Sequence, residues 1–496
     1  MKKLNQILLI SGALLLSGCS MFSSNYKAPK VDTPASWDLA NDSNYEVSKA
    51  SLSDVSWWER FDDKELNQLI TNALHNNNSI EVAIGNIQLA KAQLTQVYMG
   101  WVPSISLGGS MGIGNVGNFA TGFNPSGLSP LVASQIPPTA NNQPFNFYQG
   151  GLIPSYTVNI LQQLKGADIA KANIQGARAL KDSVRLTVIS QVAGSYFTIL
   201  ALNQQLATQK QMVSDLTELM KLLNIEYQHG YLAKPDMDQY QENLDQAKAV
   251  IPQIEDNLVK AKNSLAVLVN NKDLKVDLDG SFAKVKMDGI IPVNLPSSVL
   301  QNRPDIIQAE QRLIAADANI DYARANFFPT INLTLPMGGF NAKLGDMLSP
   351  TGNFWMAQMN AVMPILNLGI NALIKQAKAN YYMAYYNYIQ TVQMAFADVN
   401  NNMSGYTKNK EVLGANDRVY QTANSNYAAN MQNYKLGYIG YPETISSKVT
   451  MERAQMSATQ SKLNQIQSLL QLYQSLGGGY NYQNSEKARK FGDNHD

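Results

Sequence analysis

The chain of 496 residues has one cysteine, Cys19. An internal disulfide is therefore impossible, and no cysteine cluster can hold a metal. Histidine is nearly as scarce, with His75, His229 and His495 far apart in the sequence. A zinc or histidine-based catalytic site would have to be assembled from these scattered positions. An excess of charge is missing as well. The formal net charge of +1 gives no reason to expect nucleic acid as a partner. The glycines from Gly108 to Gly114 lie in a strand-like window and lack the following helix of a dinucleotide site. These absences point to a protein that is not an enzyme and needs no cofactor. Beyond Leu16 no apolar run approaches the ~20 residues of a membrane-crossing helix. If the mature chain spans a membrane, it must do so as a closed β-barrel.

What is present begins with an address. Met1-Lys2-Lys3 is basic, Ile7 to Leu16 is apolar apart from Ser11 and Gly12, and Ser17-Gly18 are small. Residues 1–18 read as a secretory signal. The small residues directly before Cys19 resemble the lipobox of bacterial lipoproteins. That resemblance implies cleavage before Cys19, lipid on its sulfur and acyl on its new amine. Ser20, where Asp would mark inner-membrane retention, implies the outer membrane. Residues 19–60 are the expected lipidated N-terminal segment.

Proline is distributed unevenly. It is absent between Pro34 and Pro103, between Pro154 and Pro235, between Pro364 and Pro442, and after Pro442. Proline costs ~3 kcal/mol in a helix interior, so these stretches are candidates for long helices. Val184, Val188, Val192, Tyr196 and Leu200 form a helical stripe. Residues 163–229 as one helix would run ~100 Å at 1.5 Å per residue, against ~11 residues for an ordinary globular helix. A coiled-coil-like rod or a helical tube follows. Gly166, Ala170, Gly176, Ala177, Ala193 and Gly194 allow close helix approach.

The proline-rich windows alternate instead. Trp101 to Gly108, Phe145-Asn-Phe147, Pro329 to Leu335 and Trp355 to Met363 have the period of strands. Each window allows the ~9–11 residues of a tilted membrane strand. Trp101, Phe147, Tyr148, Phe327, Phe328, Phe354 and Trp355 stand near strand ends, as in the aromatic girdles of outer-membrane barrels.

The chain also reads as written twice. Asn86 to Leu94 with Trp101 to Leu107 matches Arg312 to Ile320 with Phe327 to Leu333. Tyr227-x-x-Gly230-Tyr231 with Pro235 matches Tyr434-x-x-Gly437-Tyr438 with Pro442. The longer loop of the first copy lies between Gly114 and Gln143. Each copy reads helix, strand, loop, strand, long helix, turn, long helix. Four strands cannot close a barrel, and known single-chain barrels start at eight. Physics alone permits a dimer of eight strands or a trimer of twelve. The two turns cap the longest helices and are expected to form a tip, with Gly230 and Gly437 at positive φ.

The second copy contains Leu295-Pro296, Arg303-Pro304-Asp305-Ile306, Ala309-Glu310 and Phe327-Phe328-Pro329. The last helix closes with Leu472-Tyr473 and Leu476-Gly477-Gly478-Gly479-Tyr480. This block resembles the outer membrane factor family, the TolC-like efflux proteins, and in particular its lipoprotein branch, over roughly residues 25–480. The resemblance implies an α+β membrane protein, a homotrimer whose twelve-stranded barrel in outer-membrane lipid continues as a periplasmic α-helical barrel. Residues 61–272 and 297–480 are the two efflux repeats, and 481–496 a polar tail. A periplasmic adaptor and an inner-membrane efflux pump are the implied partners. The implied function is a passive exit duct for drugs and other small molecules, with a duct for secreted proteins or peptides as the alternative.

The family's residues carry over to particular positions. Tyr227, Gly230, Tyr231, Tyr434, Gly437 and Tyr438 take the adaptor-contacting tip. The family narrows its tube with acidic residues just after the second turn. Glu443 matches the first such position, while Ser446 departs from the second. Asp236 and Asp238 are the corresponding candidates of the first copy. Pro304 suits a first helical position and Asp305 the positive helix end. Met356, Met359 and Met363 are soft thioethers of the kind that select Cu(I) cargo, but methionine is more often a gap filler.

Overall fold

The computed structural model describes residues 26–29, 56–115, 144–274, 282–285, 303–341, 343–346, 350 and 353–479. Cys19, the signal, most of the Gly114–Gln143 loop and the tail lie outside the described residues. After a 3-10 turn at Trp57–Phe61 come α1 (Lys64–Asn76), α2 (Asn78–Met99), β1 (Ser104–Asn115) and β2 (Pro144–Val158). Then follow α3 (Ile160–Gln228), α4 (Lys234–Val269) and α5 (Pro304–Arg324). The chain continues through β3 (Thr330–Thr334), β4 (Met337–Asn341), β5 (Asn353–Trp355) and β6 (Gln358–Val362). It closes with α6 (Leu368–Lys435) and α7 (Tyr441–Ser475). Two of the proline-free windows are single long helices, α3 with 69 residues and α6 with 68, whereas the Pro34–Pro103 window is divided between α1 and α2, which break at Asn77.

The contacts divide into two compact units. The first holds residues 88–174 and 311–385 among others. Its sheet is antiparallel throughout. β1 pairs with β2 from Ser104↔Ser155 to Asn115↔Pro144. β3 and β4 both pair with β2, and β6 and β5 continue outward from them. β3 and β4 are thus two halves of one line broken at Leu335-Pro336, and β6 and β5 two halves of another. The breaks keep hydrogen bonds, since Leu335 N donates to Pro154 O (2.9 Å) and Met356 N to Pro336 O (3.0 Å). The third and fourth strand windows are therefore interrupted lines. The second, read at Phe145–Phe147, is part of a longer strand that runs through Gly150-Gly151 and Pro154 to Val158. Glycine is needed where β2 meets β4: a Cβ on Gly151 would collide with Met337 O, and one on Gly338 with Gly150 O.

Within this unit Asn159 joins strand to helix. Its Oδ1 accepts from Gln162 N at the start of α3 (3.2 Å), and its Nδ2 donates to Ala325 O (2.9 Å). Asp321, 1 % exposed, lies between Lys165 (3.3 Å) and Arg324 (3.0 Å). A carboxylate buried between two cations offsets its desolvation by direct pairing.

The second unit holds residues 29–87, 175–310 and 386–496. Trp57 is fully buried, stacks on Tyr473 at 4.8 Å and donates Nε1–H to Gly478 O (3.1 Å). Phe61 packs on Phe197 (4.8 Å). Asp63 caps α1, its Oδ1 accepting from Glu65 N and Leu66 N, while Tyr196 donates its hydroxyl to Asp63 Oδ2 (2.7 Å). Burying these aromatic side chains contributes on the order of 2–3 kcal/mol each. Along α6, Asn402, Asn409 and Asn416 recur at a heptad interval. Asn409 donates to Ser468 Oγ (2.5 Å) and Asn416 to Ser461 Oγ (2.6 Å), a polar seam of the kind that fixes coiled-coil register.

α3 contains a window long and apolar enough to cross a membrane, but 61% of that window is buried inside the protein. It is a core helix by that measure.

Candidate functional site

Both Tyr-x-x-Gly-Tyr sequences end a long helix in the same way. Gly230 has φ 80° and Gly437 φ 79°. Gly230 N donates to Tyr227 O (3.0 Å) and Tyr231 N to Glu226 O (2.9 Å). Gly437 N donates to Tyr434 O and Tyr438 N to Asn433 O, both at 2.9 Å. These pairs of bonds close a helix through a left-handed residue and satisfy its last carbonyls. Tyr231 is 84% exposed and Tyr438 77%, so the turns present their aromatic rings to the outside. Tyr227 and Tyr434 are each 40% exposed.

Behind the turns α3, α4 and α7 share an apolar core. It includes Met212, Leu216, Leu219, Leu244, Ile445 and Val449. α7 starts with Gly440 as its N-cap and Tyr441-Pro442 as its first residues. Glu443 is exposed, and its Oε2 would lie 2.6 Å from a Cβ built on Gly440. Its carboxylate thus folds over the N-cap, where the helix dipole favours negative charge. Asp236 and Asp238 are exposed at the start of α4. The Tyr441 hydroxyl donates to Glu218 Oε1 (2.9 Å). Burial first, then Glu218, pushes this phenol up to about 12, so it stays a neutral donor at any physiological pH.

The Arg-Pro-Asp motif works as a fastener within the second unit. α5 begins at Pro304. Arg303, 8% exposed, grips Asp305 with Nε (3.0 Å) and Nη2 (2.7 Å). Its Nη1 donates to Ser475 O (2.7 Å), one of the last carbonyls of α7. Gly477 at φ 68° turns the chain away against the Arg303 side chain. In the first unit, Phe327 and Phe328 are half-buried at the end of α5, and Pro329 precedes β3.

The sheet register sorts side chains onto two faces. One face carries Ile105, Leu107 and Met111 of β1, then Leu152, Tyr156 and Val158, then Ile331, Leu333 and Met337, then Trp355 and Met359, with Asn146, Asn341 and Asn353 gathered at one end of it. The other carries Ser104, Ser106, Ser110, Gln149, Ser155, Thr157, Asn332, Thr334, Gln358 and Asn360, with Ile153, Phe340, Phe354 and Val362 among them. Leu107 is 81% exposed and Met111 78%. Met359 lies opposite Leu333 on the apolar face. An exposed apolar face backed by a polar one is the pattern of a barrel wall between lipid and water. β1 and the β5/β6 line each have a partner on one side only among the described residues, so the wall is open at both edges. Trp101 and Trp355 are exposed, while Tyr148, Phe327, Phe328 and Phe354 are half-buried.

Sequence reasoning missed three polar groupings: the Asn159 bridge, the Asp321 pair, and a buried Asp215–Lys448–Glu452 cluster between α3 and α7. Asn159 and Ala325, Lys165 and Asp321, and Asp215 and Lys448 lie far apart in sequence, so nothing in the one-dimensional pattern brings them together.

A wall strand, paired long helices and glycine-closed turns define a protein of the outer-membrane channel class. Residues 69–271 and 295–478 match the Outer membrane efflux protein family, and the chain belongs to that family. It is 27% identical over 477 residues to the antibiotic efflux pump outer membrane protein ArpC of Pseudomonas putida, covering 94% of each. It is 25% identical over 484 residues to SilC of Salmonella typhimurium, described as a probable outer membrane lipoprotein, covering 96% and 99%. Among solved structures, the CmeC outer membrane channel of Campylobacter jejuni superposes with a TM-score of 0.79 at 20% identity, covering 95% and 98%. The open-state MtrE channel of Neisseria gonorrhoeae gives 0.76 at 22% identity, covering 93% and 99%.

Proposed function

We propose that this protein is the outer-membrane exit duct of a tripartite efflux system, a passive channel for drugs and other small molecules. The two-faced sheet with open edges carries the reading. A wall that is apolar on one side, polar on the other and unclosed calls for further copies, and three copies give the twelve strands of the homotrimer. Residues 1–18 act as the signal, and lipid on Cys19 anchors residues 19–60 to the outer membrane. Residues 61–272 and 297–480 are two copies of one unit. The match of the family to two stretches and the near-equal helix lengths, 69 with 68 and 36 with 35 residues, support that division. Residues 481–496 form the tail. Tyr227, Gly230, Tyr231, Tyr434, Gly437 and Tyr438 present the tip to a periplasmic adaptor, which joins the duct to an inner-membrane pump. Glu443, with Asp236 and Asp238, lines the narrow end.

Deleting the gene and measuring accumulation of a panel of dyes, drugs and bile salts tests the reading. Accumulation rises for part of the panel if the duct serves small molecules. An unchanged panel together with lost secretion of a protein or peptide would sink it in favour of the secretion duct.

A further inference from the structure

The Asp215–Lys448–Glu452 cluster has no part in the wall, the turns or the family motif. Asp215 of α3 is 4% exposed and Glu452 of α7 is 3% exposed. Lys448 Nζ lies 2.7 Å from Asp215 Oδ2 and 2.9 Å from Oδ1, and Gln211 donates to the same Oδ1 (3.0 Å). Lys448 bonds Asp215 directly and acts on Glu452 through its charge alone. Glu452 lies within hydrogen-bonding reach of Asp215. With no proton between them, Glu452 Oε2 is buried without a hydrogen-bond donor.

Among the described residues, Lys448 is the cation that acts on Glu452. α3 supplies Asp215 and, further out, Glu218; α7 supplies Lys448, Glu452 and Tyr441; α6 supplies Tyr427. α4 brings apolar Leu244 and Ala247, while its Asp245 and Lys248 pair with each other in the open. A cluster with one proton on the carboxyl pair is neutral. Without that proton it holds a buried net negative charge, which a low-dielectric helix junction disfavours. Burial first, then the hydrogen bond and charge of Asp215, raise Glu452 from 4.5 to about 8, against the lowering effect of Lys448. Burial pulls Lys448 down, but its hydrogen bond to Asp215 and the charges of Asp215 and Glu452 outweigh it and leave the ammonium raised.

We propose that Glu452 is a proton-operated latch on the seam between α3 and α7: protonated, it bonds Asp215 and holds the two helices together; deprotonated, it lets them part. The direction follows from linkage. In the window between the ordinary glutamate value and the raised one, the latched state holds a proton that the parted state releases. Its contribution is full at acid pH and is lost as pH rises through the raised value. The seam starts immediately behind the second tip turn, so latching bears on the narrow end of the tube, a consequence that rests on the duct reading.

The test is hydrogen exchange on the purified full chain, following the α3 and α7 amides of this seam from about pH 6 to about pH 9 with intrinsic rates corrected. Wild-type protection falls by up to about a hundredfold across the window, and Glu452→Gln, which keeps the shape and cannot ionise, stays protected throughout. Lys448→Met moves the wild-type transition to higher pH. A flat wild-type profile, or a Glu452→Gln profile with the wild-type slope, overturns the latch. Should Glu452→Gln not fold, isotope-edited infrared spectroscopy of the wild type decides. A protonated glutamic acid carbonyl persists at about pH 7 and disappears in alkali if the latch exists; its absence at about pH 7 overturns it. Single-channel recording separates the two readings. No conductance at any pH is a failure of the duct, whereas an identical pH response in wild type and Glu452→Gln is a failure of the latch.

Discussion

At the residue scale, two glycines and one glutamate carry distinct expectations. Gly230 and Gly437 sit near φ 80°, where an L-residue pays a steric penalty of about 1–2 kcal/mol. Neither has a neighbour within 4 Å of an added Cβ, so the penalty is conformational and not a collision. Gly230→Ala and Gly437→Ala should each lower denaturant stability by that amount, and the double variant by the sum. Glu443→Gln should reduce cation selectivity in single-channel recordings, because three carboxylates around one axis attract cations. Unchanged selectivity would leave Glu443 as the helix-start carboxylate that its position over Gly440 also makes it. The glycine positions were legible in the sequence, since only glycine suits such a turn between two long helices. The Glu218 partner of Tyr441 was not legible, because the two stand 223 residues apart on different helices.

Among the elements, the long helices were the most readable feature. Absence of proline and a fourfold apolar stripe put the first at 163–229, and it spans Ile160–Gln228. Strands were harder. A window at Phe145–Phe147 proved to be part of a fifteen-residue strand, because Gly150-Gly151 and Pro154 look like breakers in one dimension. In the sheet those glycines are what allow β4 to approach, and the Pro154 carbonyl still accepts from Leu335. The Arg303 motif was visible as a helix start, yet its second task was hidden: holding the last turn of α7 through Ser475 O. Arg303→Lys cannot keep a bidentate grip on Asp305 and reach Ser475 as well. It should cost about 1.5–3 kcal/mol, read as a lowered midpoint in thermal unfolding, with the loss of protection starting at the α5 and α7 ends in hydrogen exchange.

For the whole molecule, the two faces of the sheet set the expected assembly. Leu107→Arg places a charge on the apolar face and should cost about 2–4 kcal/mol near the bilayer midplane. Ser106→Arg, on the polar face, should be accepted. Heat-modifiable oligomer on a gel after refolding into lipid reads both at once. Equal yields for the two variants would contradict the assignment of faces. Four strands per chain were readable from alternation, and the inability of four strands to close was a matter of geometry. The choice of three copies over two rested on the family resemblance.

The matched helix lengths carry one further consequence. α3 and α6 differ by a single residue, and so do α4 and α7. One inserted residue turns everything beyond it by about 100°, whereas seven residues make nearly two whole turns. The asparagine seam on α6 has that same sevenfold spacing. The four helices therefore form a common ruler. A shorter or longer version can be made by removing or adding whole heptads from all four together, and a change confined to one helix would set its turn out of step with its neighbour.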